Sequence, residues 1–314
     1  MANTIDWGKI YETTNFGSGR TDNTIDWGIT YKDLGGGAAT TPLLDTYSGA
    51  LVAYSLRKLS SDYTGNAIQV TPDGSTFTDI GFDGSGNLDT ASLPSDSDLY
   101  ISKWYNQEGT AIHDMTQTSL ASMPIIKSGG SVVTVKGKPA VDFATGRSMR
   151  MGNTTANKIA VANKNLTQLL VTNIGDAEGD VEYFCIGTAS SKGQWRFSNL
   201  SIGQVLQFKS GGQTWDFGYG GFNVDLMDPN IFIVTQGDTG GYVNFYQNAE
   251  NPVTDLVPTI SGTDTHELWT LTNTVSVHTT RSKTSEYILW NGDYNSSVSD
   301  INTAVNDYYG TYTA

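Results

Sequence analysis

A chain of 314 residues with a formal net charge of −14, whose 18 Lys and Arg are scattered without a run, would repel phosphate backbones and anionic lipid surfaces alike. Nucleic acid and membranes are therefore not expected as partners, and no stretch approaches the roughly 18 uninterrupted apolar residues of a spanning helix. With 11% aromatic residues, 35 Gly, 16 Tyr and only 16% charged residues, the composition favours strands and turns over helices, and the length suffices for one large β domain.

The chain starts Met1-Ala2-Asn3-Thr4-Ile5-Asp6, which lacks the basic and apolar regions of a signal peptide. Export by that route is not expected. The stretch Asn3-Thr4-Ile5-Asp6-Trp7-Gly8, with Tyr11 after it, returns as Asn23-Thr24-Ile25-Asp26-Trp27-Gly28 with Tyr31. Each copy sits between turn segments and is too short to bury its own aromatic residues. Two readings follow. The copies can pair as an extra hairpin on the body of the chain. Alternatively Ile5, Trp7, Tyr11, Ile25, Trp27 and Tyr31 are anchors for pockets on a partner protein, since large aromatics bury much area at little rotamer cost. Two linked copies on neighbouring pockets would add avidity without a new kind of contact. Gly35-Gly36-Gly37-Ala38-Ala39 then marks a flexible boundary, separating a docking segment, 1–40, from a body, 41–314.

From residue 41 onward, short runs rich in Val, Ile, Tyr, Phe and Thr alternate with Gly, Asn and Asp turns. Strands are expected at Ala67–Thr71, Leu99–Tyr105, Val132–Val135, Leu169–Thr172, Trp195–Phe197, Val205–Phe208 and Tyr287–Trp290. The runs 231–236 and 242–246 flank a Gly-rich turn and read as a hairpin. So many short strands in succession indicate a sandwich or jelly roll. One helix is expected at the close: Ser297 or Ser299 can cap it, Ile301, Val305 and Tyr308 share a face, and Gly310 can end it. It is expected to pack across the edge or base of the sandwich.

Candidate sites are sparse. Cys185 lies alone in an apolar strand-like run, and His113, His266 and His278 are far apart, so no metal or cofactor is expected. Asp83-Gly84-Ser85-Gly86-Asn87-Leu88-Asp89 has a faint calcium-loop spacing but reads mainly as a turn. Gly211-Gly212 and Gly218-Tyr219-Gly220-Gly221 read as hairpin tips rather than phosphate loops. Trp195, Trp215 and Tyr219, in the densest aromatic region, are candidates for stacking on sugar rings, although strand alternation is expected to place at least half of that region's aromatics in the core.

Four stretches carry a resemblance: Leu43–Leu59, Asp79–Ala91, Lys103-Trp104-Tyr105-Asn106-Gln107-Glu108-Gly109 and Val133–Phe143. Their order and spacing resemble the concanavalin A-like, LamG-type sandwich of the alpha-L-arabinofuranosidase B catalytic domain and its relatives in phage structural proteins. Ser285–Trp290 and the following helix resemble that group's last strand and helix, and the repeat resembles the N-terminal segments of phage virion proteins. The resemblance implies an all-β jelly-roll sandwich with a short C-terminal helix. It also implies a virion protein, assembled in the host cytoplasm as a homo-oligomer, most readily a trimer, which docks on a capsid or tail protein through residues 1–40 and meets host glycan. The catalytic pair of the hydrolases does not carry over. Asn106 stands where they have Asp, the middle segment 223–232 offers Asp225 and Asp228 but no Glu, and 271–283 holds no acid. Two carboxylates roughly 5 Å apart are what a retaining glycosidase needs. A chain without enzymatic activity is therefore expected, with arabinofuranosidase-like hydrolysis as the alternative.

Overall fold

The computed structural model describes residues 41–143, 146–151, 166–173, 179–180, 184–186, 194–200, 203–210, 213–217, 229–236, 242–248, 252–256, 268–272 and 282–312. The repeat and its six anchors, Ile5, Trp7, Tyr11, Ile25, Trp27 and Tyr31, lie outside them, as do the 1–40 docking segment and His266 and His278.

The first half runs α1 (Leu43–Thr46), β1 (Ala50–Ser55), β2 (Ile68–Thr71), β3 (Thr78–Ile80), β4 (Leu99–Trp104), β5 (Met115–Thr116), β6 (Ile125–Ser128), β7 (Ser131–Val132), β8 (Thr134–Val135), β9 (Lys138–Pro139), β10 (Val141–Phe143) and β11 (Ser148–Arg150). The second runs β12 (Leu166–Asn173), β13 (Gly179–Asp180), β14 (Phe184–Ile186), β15 (Gln194–Leu200), β16 (Gly203–Ser210), β17 (Gln213–Phe217), β18 (Asn230–Gln236), β19 (Tyr242–Gln247), β20 (Val253–Leu256), β21 (Leu268–Thr272), β22 (Ser282–Trp290) and α2 (Val298–Tyr309).

One antiparallel hydrogen-bonded path of strands, β14-β21-β11-β5-β4-β6-β10-β22-β12-β18-β19-β20, folds back on itself into two layers. The front layer contains β2 to β5 and β11, whose inward residues include Ile68, Val70, Ile80, Ile101, Trp104, Met115 and Met149. The rear layer contains β1, β12, β18, β19 and β22, and contributes Val52, Tyr54, Leu170, Phe232, Phe245, Tyr287 and Leu289 to the same core. Tyr54 meets Trp104 across the layers at a centroid separation of 6.1 Å. This is the expected jelly-roll sandwich. The hairpin at 231–246 is present as β18 and β19, with Gln236 opposite Val243.

The rear layer is apolar on both faces. Ala53, Leu169, Val171, Ile231, Ile233, Ile288 and Trp290 point away from the inter-layer core and form a second one with Leu43, Val298, Ile301, Val305 and Tyr309. The terminal helix thus lies flat on the rear sheet rather than across an edge or base. The register explains why β12 reads as an almost unbroken buried run: a strand covered on both faces has no solvent side to alternate with.

Three details differ from the sequence reading. The helix follows Ser297, whose hydroxyl makes no capping bond, and Ser299 lies inside it, its carbonyl accepting the Thr303 hydroxyl at 2.8 Å. Its buried face ends on Tyr309, 5% exposed, while Tyr308 is only half-buried. The run 132–135 splits into two pairings, because Lys136 and Gly137 both take positive φ, 48° and 77°, in a two-residue hairpin between β8 and β9.

The helix does end at Gly310, left-handed at φ 62°, whose N–H donates to the Asn306 carbonyl at 2.7 Å. A Cβ there would meet no neighbour, so Gly310→Ala is expected to cost only the backbone strain. That is about 1 kcal/mol in urea-denaturation stability.

Candidate functional site

The rear sheet's outward face is sealed by α2, which leaves the outward face of the front layer as the sandwich's open sheet surface among the described residues. Pairing lines up one row of outward residues across four strands and into a fifth. Asp79 of β3 is opposite Gln69 of β2, Gln69 opposite Lys103 of β4, Lys103 opposite Thr116 of β5, and Thr116 opposite Arg150 of β11. The neighbours Ile68, Val70, Ile80, Trp104, Met115 and Met149 are all fully buried. Period-two alternation therefore turns the polar row outward.

The row is hydrogen-bonded at its Asp79 end, and at the other end the Thr116 hydroxyl donates to the Arg150 carbonyl at 3.4 Å. Gln69 Nε2 and the Tyr105 hydroxyl both donate to Asp79 Oδ1, at 3.0 and 2.7 Å, and the Ser102 hydroxyl bonds Gln69 Oε1 at 3.0 Å. Lys103 Nζ stands 5.0 Å from the centre of the Tyr105 ring and 3.8 Å from Asp114 Oδ2. On the same face, the Arg147 guanidinium lies 5.1 Å over the Tyr100 ring. Burial, reinforced by the Asp79 carboxylate, raises the Tyr105 phenol well above its ordinary range, so it stays a donor at all physiological pH. Burial also raises the Asp114 carboxyl, against the Asn106 N–H and Lys103, which pull it down.

The loop behind this face is a clamp. Asn106 Oδ1 accepts the Ala53 N–H at 2.8 Å, and its amide donates to the Thr110 carbonyl at 3.3 Å and to Glu108 Oε2 at 3.4 Å. Gln107 Oε1 accepts the Leu59 N–H at 2.8 Å, while its Nε2 donates to the carbonyls of Ser55 and Arg57 at 3.0 and 2.9 Å. Both side chains are buried, and they tie the end of β4 to β1. At position 106 an amide does what a carboxylate cannot, since it accepts from Ala53 and donates to Thr110. This sequence feature, read above only as a departure from a hydrolase motif, has a structural use.

A second buried cluster joins β1, β22 and α2. Glu286, fully buried, accepts Arg57 Nε at 2.8 Å on one oxygen and an Arg57 terminal nitrogen at 3.0 Å on the other. The Ser55 and Tyr309 hydroxyls add bonds of 2.9 and 3.1 Å. Arg57 also lies 4.7 Å over the Tyr308 ring. Burial works against the Arg57 charge, but Glu286 more than offsets it and holds the guanidinium above its usual value. No fully buried nitrogen or oxygen of the cluster's side chains lacks a partner, and the pair is a structural tie.

Of the sugar-stacking candidates, Trp195 is opposite Phe208 and Phe208 opposite Trp215, so β15, β16 and β17 carry them in one cross-strand row of a separate four-stranded sheet. Phe197, Leu206 and Phe217 form the next row of the same parity. Ser210 is opposite Gln213 where β16 pairs with β17, and Gly211 and Gly212 lie outside the described residues. Tyr219, Asp225 and Asp228 lie outside the described residues.

The Asp83 loop is a turn in which Asp83 Oδ1 accepts the N–H groups of Ser85 and Asn87 at 2.8 and 2.9 Å. The carboxylate is already used by the chain's own backbone. Cys185 lies in β14. His113, in a short 3-10 turn (Ala111–His113), keeps a buried Nδ1 with no partner among the described residues, and burial lowers its pKa. Among the described residues no group of three His, Cys, Asp or Glu could hold a metal ion, and no helix is long and apolar enough to cross a membrane.

No family model matches the chain, and no curated protein matches it in sequence. Among solved structures it is similar to a GH54 α-L-arabinofuranosidase soaked with a cyclic sulfate inhibitor, at 14% identity and a TM-score of 0.64, over 87% of this chain and 65% of that one. It is equally similar, at 14% identity and a TM-score of 0.64, to an arabinofuranosidase complexed with arabinofuranosyl-α-1,2-xylobiose, again over 87% of this chain and 65% of that one. The chain has the sandwich fold of these enzymes, and it spans 65% of their length. A shared fold does not carry an activity with it.

Proposed function

We propose that this chain is a non-enzymatic surface protein of a phage particle, a head fibre, decoration or tail appendage whose sandwich displays a lectin-like face to glycans on the host surface. The observation that supports it is the front layer's outward row from Asp79 to Arg150. It is an open, donor- and acceptor-rich surface on a scaffold whose opposite face is covered by a helix. Sugars are recognised by such arrays of convergent polar groups beside aromatic rings. Trp195, Trp215 and Tyr219 are proposed as further sugar-stacking residues. Residues 1–40 mount the chain on a capsid or tail protein through Trp7, Trp27 and their Ile and Tyr neighbours, in an oligomer, most readily a trimer, that follows the symmetry of its mount. The anionic chain keeps the exterior soluble.

A glycan array with the full chain tests the binding reading, and absence of signal on every glycan removes it. Particle assembly with a chain lacking residues 1–40 tests the mounting, and normal incorporation removes that part.

The fold likeness to solved arabinofuranosidases supports a second reading, hydrolysis of an arabinosyl-type surface glycan. It predicts release of 4-nitrophenol from 4-nitrophenyl α-L-arabinofuranoside, abolished by Asp225→Asn or Asp228→Asn. No release removes this second reading.

A further inference from the structure

We propose that the outward face of the front layer recognises an acidic saccharide, with Arg150 and Lys103 as the contacts for its carboxylate. This rests on the glycan-binding reading above and adds the chemical class of ligand. The chain as a whole carries a net charge of −14, yet Lys103, Arg147 and Arg150 are all turned outward here. The acids against them are Asp79, Asp114 and, in the adjoining loop, Glu108. Asp79 is engaged by Tyr105 and Gln69 at the far end of the row, Asp114 is buried, accepts the Asn106 N–H on Oδ1 and has Oδ2 3.8 Å from Lys103, and Glu108 is held by the Asn106 amide. Arg150 is exposed, and its guanidinium has no partner among the described residues.

Thr116 alone separates Arg150 from Lys103 in the row, so their backbones stand about 10 Å apart. Two long cationic side chains at that spacing converge on one carboxylate-bearing ring, with the Thr116 hydroxyl between them. The aromatic rings argue in the same direction. The faces of Tyr105 and Tyr100 are already covered by Lys103 and Arg147. A neutral sugar seeking a bare ring to stack on finds cations there instead, whereas a carboxylate finds donors already held in place by the rings beneath them.

The test uses the full chain and four acidic polymers, polygalacturonate, alginate, hyaluronan and polysialic acid, each beside its carboxyl-reduced, neutral counterpart. Binding to at least one acidic polymer is expected, weakened about tenfold or more by carboxyl reduction and by Arg150→Gln, the value of one charge-assisted contact. Lys103→Gln should weaken it less, and Arg150→Lys should retain part of it. Added salt should weaken it as well. Equal binding to the reduced polymers overturns the acidic ligand and leaves the glycan reading standing. Sensitivity to carboxyl reduction with Arg150→Gln and Lys103→Gln both unchanged overturns the assignment to this face. Binding to no acidic polymer by a chain that gives signal on neutral glycans overturns the inference alone, and no binding to any saccharide overturns both. Unchanged circular dichroism of the variants separates lost contacts from lost fold.

Discussion

Arg57→Met is expected to lower the free energy of unfolding by roughly 3–5 kcal/mol, measured by urea denaturation. The two side chains of the pair are 9% and 0% exposed, so removing the guanidinium leaves the Glu286 carboxylate with no counter-charge and no water. The Ser55 and Tyr309 hydroxyls remain as donors, but neither brings charge. Adding Glu286→Gln to Arg57→Met should return part of the loss, because an amide replaces the stranded carboxylate. A single variant within about 0.5 kcal/mol of the parent would mean that water reaches the site and that the pair behaves as a surface ion pair.

Gln107→Ala is expected to be nearly as severe, on the order of 3 kcal/mol, for a different reason. No charge is involved. The Leu59 N–H and the carbonyls of Ser55 and Arg57 lose the side chain that satisfies them, in a place where Gln107 itself is 3% exposed. Gln107→Glu, although isosteric, should also destabilise, since a carboxylate would face two carbonyl oxygens. Hydrogen exchange supplies a local readout: the Leu59 amide should exchange faster in Gln107→Ala than in the parent, while the amides of β18 keep their relative order of protection.

Strand positions were legible because half-buried strands alternate and turns carry Gly and Asn, and the segments from 67 to 105 show this plainly. The helix was legible from Ile301, Val305 and Gly310. Its resting place was not, because a helix pattern states which side is apolar and not what it meets. The signal lay elsewhere, in β12, β18 and β22, whose apolar residues on both faces call for cover on both. The Arg57–Glu286 tie could not be read at all. Its partners are 229 positions apart, and a charged residue within a strand ordinarily reads as a solvent-facing one. Asn106 and Gln107 were visible as a motif, but their use depends on which backbone groups approach them, which only the fold determines. The outward row from Asp79 to Arg150 comes from five strands, and no local pattern joins residues whose only relation is register.

Strand β22 has β12 along one side and β10 and β1 along the other. Until residues 282–290 have been synthesised, the rear layer is a sheet with a slot one strand wide, and both lips of the slot are unpaired, apolar edges. Such edges recruit other chains, and the contacts that close them span most of the sequence, which makes closure slow. The order of synthesis therefore leaves these two edges without their shared neighbour until residues 282–290 emerge. A ribosome stalled upstream of residue 282 would hold a rear layer still missing the strand that joins β12 to β10 and β1.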